Sequence, residues 1–162
     1  MKFTSLRKTV LTWTLLATTS LGFIQPASAF ADKIRFLGDL GIAYYCFHHW
    51  VSAPFKEGDF SASQPHHVKA IIKAGVALLF AVNRVKAADK IAHTSNDPLL
   101  RKLAGGLDSL EGTVSSLGTQ LKGGHFNPAD MAALGGGFGG LKTNALSEGL
   151  NIQDKATAVP GL

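Results

Sequence analysis

Residues 44–50 read Tyr-Tyr-Cys-Phe-His-His-Trp, which places one thiol and two imidazoles within a single helical turn's length of chain. Thiolate and imidazole are the side chains that zinc and its neighbours prefer. At about 100° per residue on a helix, His48 and His49 diverge and cannot hold one ion together. Cys46 and His49 lie about one turn and ~60° apart, which makes half of a site. His66 and His67 would supply the other half if the chain returns as a helical hairpin. The candidate metal set is therefore Cys46, His49, His66 and His67, and a divalent metal is the cofactor it would take. The plainer alternative has Cys46 and His48 bordering a core, His49 in solvent and no cofactor; the spacing matches no compact zinc signature. Haem attachment of the c type needs a second cysteine, and Cys46 is the only one in the chain. In an oxidising compartment a lone thiol is buried, coordinated, or joined to another chain by an intermolecular disulfide.

A second chemical-looking stretch is Gly135-Gly136-Gly137-Phe138-Gly139-Gly140, a literal G-x-G-x-x-G. Dinucleotide binding would need a strand before it and a βαβ unit around it, and neither is legible. The G-x-x-x-G spacing of Gly135/Gly139 and Gly136/Gly140 instead suits close helix approach, so Gly135, Gly136, Phe138, Gly139 and Gly140 form a candidate interaction surface. His93-Thr94-Ser95-Asn96-Asp97 resembles a catalytic string only in its letters. A helix end followed by an N-cap accounts for the same residues. No serine lies in a nucleophile motif and no carboxylate pair is specified.

The elements that would position these groups are helices. From about Asp32 to Ser52, residues Phe36, Leu37, Leu40, Ala43, Tyr44, Phe47, Trp50 and Val51 fall on one broad apolar arc, and Ala53-Pro54 marks the expected end. A second helix begins near Pro65 and runs to about His93. Its middle, residues 70–82, is apolar nearly all round, and its charged second half, Asn83 to Lys90, is expected to project into solvent. Asn96-Asp97-Pro98 starts a third helix, in which Leu100, Leu103, Leu107, Leu110, Val114, Leu117 and Leu121 recur in a 3-4 heptad pattern. After Gly123-Gly124, Asn127-Pro128-Ala129-Asp130 starts a fourth. There Met131, Leu134, Phe138, Leu141 and Ala145 continue the pattern through five glycines, each costing about 1 kcal/mol of helix stability relative to alanine. No strand-like alternation of useful length occurs. The fold class is all-α, a small helical bundle of three to four helices.

The amino-terminal stretch reads as a secretory signal peptide over residues 1–29. Lys2, Arg7 and Lys8 precede the apolar run Val10–Ile24, and Ala27-Ser28-Ala29 is a small-x-small cleavage box; cleavage after Ala31 also fits. Residues 30–149 then make one helical domain and 150–162 a flexible tail. Of the 16 Lys and Arg, three belong to the leader, and none of the 11 acids does, so the mature net charge is about +2. With no Lys/Arg run longer than two, nucleic acid is not an expected partner. The expected localisation is secreted or periplasmic, as a soluble chain. The favoured reading is an exported non-enzymatic protein acting by binding or assembly. Its partner would be an envelope or extracellular protein, a polymer, or a second copy, and membrane-surface contact is a variant of it. A metal- or small-ligand-binding role through Cys46 and the histidines is the alternative, and a secreted enzyme is third.

Overall fold

Proline 54 shapes the first third of the molecule. It has no amide to donate to the carbonyl of Trp50, and its ring crowds that carbonyl. The computed structural model, which describes residues 27–162, shows the consequence. Helix α1 (Ala27–Phe47) widens into a π-helical turn over His48–Ser52, where the Ala53 amide donates to the His48 carbonyl, five residues back. The chain then continues helically as α2 (Ala53–Glu57) and stops at Gly58, which adopts φ 83°. A helix end at Ala53-Pro54 is thus replaced by a π turn with proline just inside the next helix, a position proline tolerates.

Three further long helices follow: α3 (His67–Thr94), α4 (Pro98–Lys122) and α5 (Pro128–Ser147). Asp97 caps α4 by accepting from the Leu99 amide at 2.8 Å, and Asn127 caps α5 by accepting from Ala129 at 3.1 Å. The fold is an all-α bundle, and no strand occurs among the described residues. Neighbouring residue pairs give the directions. Asp32–Ser95, Asp39–Arg84 and Trp50–Lys73 run α1 against α3. Gly118–Leu78 and Glu111–Lys86 run α4 against α3, and Leu110–Gly137 and Lys102–Glu148 run α5 against α4. The result is an up-down-up-down arrangement.

Every apolar residue of the heptad pattern in α4 is buried, as are Met131, Leu134, Phe138, Leu141 and Ala145 of α5, which stays helical through its glycines. The α3–α4 crossing is close because its contact residues are small. A Cβ on Gly75 would lie 2.2 Å from the Lys122 nitrogen, so there the two backbones touch. The α1–α5 gap is filled by rings instead: Phe138 stacks on Phe47 (4.6 Å between centroids) and meets Tyr44 edge-on, while the Tyr44 hydroxyl donates to the Phe138 carbonyl.

Two expectations change. The second half of α3 does not project into solvent. Val85, Ala88 and Ala92 are fully buried between neighbours while the charges flank them. Nor is 150–162 a free tail. It is extended, but it is laid along α1, with Leu150, Ile152 and Val159 buried. The Lys155 amide donates to the Gly41 carbonyl at 2.9 Å. Gly41 makes room for this, since a Cβ there would fall 2.4 Å from the Gln153 oxygen.

The α3–α4 turn is tied to the start of α1 by a buried polar cluster. Lys33 Nζ lies 2.8 Å from Asp97, the Ser95 hydroxyl donates to Asp32 at 2.9 Å, and the same hydroxyl accepts from the Asp97 amide. Burial alone would raise the Asp97 carboxyl, but the Lys33 ammonium and the Leu99 and Leu100 amides hold it below the ordinary carboxylate range. The leader reading falls largely on residues 1–26, outside the described residues. Asp32 and Lys33 lie after both cleavage boxes. Among the described residues, no helix is long and apolar enough to cross a membrane.

Candidate functional site

The π turn re-aims the aromatic stretch. Val51 goes into the core, His49 faces out, and Trp50 is directed across to α3. Tyr45 and His49 stack in parallel 5.2 Å apart, and His49 meets the Trp50 ring edge-on at 4.9 Å. Lys73 Nζ stands 5.8 Å from the centre of the Trp50 ring, a cation–π contact. The Trp50 Nε1 is buried without an acceptor.

Between this turn, α2 and the first half of α3 opens a cleft of about 370 Å³, lined by Trp50, Pro54, Asp59, His66, Lys69, Ala70 and Lys73. A second groove shares His66, Lys69 and Lys73 and adds the apolar Val68, Ile72 and Val76 together with Gly161 and Leu162. Lys69 and Lys73 are one turn apart on the same helix face, a like-charge spacing that disfavours the helix unless an anion offsets it. Neither takes part in an ion pair among the described residues. The cleft therefore combines an aromatic wall, a proline and an alanine with two unneutralised ammonium groups. A single carboxylate, Asp59, shares its lining.

The sequence-derived metal set is not gathered here. Cys46 is fully buried in the core, whereas His49 is exposed. His66 lines the cleft, and His67 Nδ1 lies 2.7 Å from the Gln64 carbonyl at the start of α3. The helical wheel separated Cys46 and His49 by a modest angle, but the π turn begins between them and turns His49 away. Burial pushes the Cys46 thiol up to about 11, against a small lowering from Arg84, so it is neither a ready ligand nor a nucleophile at neutral pH. Because the thiol is enclosed, a disulfide to another chain would require α1 to unpack first. His48 instead pairs with Asp154 of the carboxy-terminal segment, at 2.6 Å.

The glycine-rich surface also divides. Phe138 belongs to the core and Gly135 faces the Phe47 ring, which a Cβ added there would meet at 3.9 Å, while Gly136, Gly139 and Gly140 lie on the outer face of α5. The one group of three or more potential ligand side chains that converges among the described residues is Asp89, His93 and Asp108. There burial raises the Asp89 carboxyl, the nearby Asp108 and Glu111 carboxylates raise it further, and His93 opposes them. No protein family, curated protein or solved structure matches the chain.

Trp50, Lys69, Lys73 and Asp89 are functional candidates that reading by residue type passes over. Signals for the first three are present in the sequence. A proline follows Trp50 at the position whose amide the Trp50 carbonyl would need, and two lysines stand at i and i+4 with no acid partner on that face.

Proposed function

We propose that the protein is a non-catalytic binding protein of the cell envelope or extracellular space, and that it takes a small aromatic carboxylate into the Trp50 cleft. The observation that carries this reading is the unneutralised Lys69/Lys73 pair beside a half-buried aromatic wall. A ligand ring would pack on Trp50 and the flanking Pro54 and Ala70, and its carboxylate would sit between the two ammonium groups. Charge-assisted hydrogen bonds of that kind are about twice as strong as neutral ones. A cleft of about 370 Å³ is at the small end of ligand pockets, which run from ~300 Å³ upward, and suits a one- or two-ring ligand rather than a polymer.

The chain has two tryptophans, Trp13 and Trp50, and Trp13 lies in the leader, so the processed protein reports from Trp50 alone. Titration with phenylacetate or indole-acetate is expected to change Trp50 emission saturably. The neutral amides of the same acids should bind at least about tenfold more weakly, a difference of ~1.4 kcal/mol. Equal response to acid and amide, or none to either, would refute the reading.

A further inference from the structure

Far from the cleft, about 30 Å along α3 at ~1.5 Å per residue, three side chains of two ligand types converge. Asp89 and His93 stand at i and i+4 on one face of α3, and Asp108 reaches them from α4. One ligand atom of each lies within 4.8 Å of the others. We infer that Asp89, His93 and Asp108 form a binding site for one divalent transition-metal cation, bridging α3 and α4.

Two details of the geometry point to a ligand beyond the mere presence of carboxylates. His93 Nδ1 lies 3.1 Å from the Asp89 main-chain oxygen, which can only accept, so Nδ1 is the donor and Nε2 is the ring nitrogen left to face a ligand. Donation from the remote ring nitrogen to a backbone carbonyl is how metal-binding histidines are commonly oriented. The free Nε2 stands 3.9 Å from Asp108 Oδ2. That is too long for a hydrogen bond, yet within the ~4.4 Å that two ligands each about 2.2 Å from a shared ion can span. The second detail is Asp89 Oδ1. It is buried and makes no hydrogen bond of good geometry, although it lies 3.1 Å from His93 Nδ1, with which it pairs when the ring is charged. An oxygen so placed, in one cluster with a second carboxylate and an imidazole, has its natural complement in a cation. One imidazole and two carboxylates favour a first-row divalent ion over calcium, which takes oxygen ligands only. His93 and Asp108 are half exposed or more, so the ion has an open path in and keeps water in its remaining positions.

The test is Zn²⁺ binding to the tag-free full-length chain in chelator-free buffer, read by calorimetry and by the shift in unfolding temperature. The expected result is one Zn²⁺ per chain and a rise in unfolding temperature, since an ion held by two helices binds the folded state alone. His93→Ala and Asp108→Asn should each weaken binding at least about tenfold and abolish the thermal shift. Both change exposed side chains, so far-UV circular dichroism should be unaltered. Cys46→Ala and the His49→Ala/His66→Ala double variant should bind as wild type. Absence of saturable Zn²⁺ binding, retention of binding in His93→Ala, or its loss in the His49/His66 variant would each overturn the assignment.

Discussion

Replacing Gly75 by alanine tests the packing that holds α3 against α4. The added Cβ would lie 2.2 Å from the Lys122 nitrogen, 2.7 Å from the Leu121 carbonyl carbon and 2.7 Å from the Lys122 Cα. All three are main-chain atoms of a helix end, so no rotamer change relieves the clash and the two helices must part. Overpacking a well-filled core costs about 1–3 kcal/mol, and separation here also loosens the neighbouring Leu78–Gly118 contact. Against this, alanine favours a helix over glycine by about 1 kcal/mol. We expect a net loss of about 2 kcal/mol, a large share of the 5–15 kcal/mol typical of a domain. Gly105→Ala is the control. It is an exposed α4 glycine whose added Cβ would meet nothing within 4 Å, so it should gain up to about 1 kcal/mol. Urea unfolding followed by circular dichroism should separate the two variants by roughly 3 kcal/mol at unchanged slope. If Gly75→Ala proves as stable as Gly105→Ala, the backbones do not touch at this crossing.

Other consequences follow from the same contacts. Asp97 has a depressed carboxyl, so its contribution to stability is full above the ordinary carboxylate range, about pH 4, and is lost as pH falls through its lowered value. Asp97→Ala should cost about 1–3 kcal/mol near neutrality, and its unfolding curve should converge with that of wild type in acid. The enclosed Cys46 should be silent to a thiol reagent at pH 8 while folded and react at once in denaturant; rapid labelling of the native protein would show that α1 opens there. Pro54→Ala restores an amide donor opposite the Trp50 carbonyl. The π turn should relax towards α-helix and Trp50 emission should shift, whereas an unchanged spectrum would mean that tertiary contacts and not proline set the turn.

Much of the bundle was legible because its signals are local. The 3-4 spacing from Leu100 to Leu121, the Asp97-Pro98 and Asn127-Pro128 caps, and the Met131–Ala145 face needed no knowledge of distant residues. What escaped depends on pieces far apart in sequence. The buried second half of α3 is lined by Val85, Ala88 and Ala92, whose small side chains give a weak apolar signal among prominent charges. The docking of residues 150–162 depends on a shallow face at Gly41 that exists only once α1 has formed. The metal-ligand letters of 46–67 drew attention to Cys46 and His49, but burial and the π turn separate them. The cleft joins Trp50 to lysines about 20 residues later, and Asp89, His93 and Asp108 meet only through the α3–α4 pairing.

The most direct test of the binding site is a ¹H–¹⁵N NMR titration of the protein lacking residues 1–29 with phenylacetate. Saturable shifts are expected at the Trp50 indole N–H and at the amides of Asp59, His66, Lys69, Ala70 and Lys73, with the Asp89–His93 end of α3 unmoved. Shifts scattered over the surface, or confined to residues outside that cleft, would contradict it.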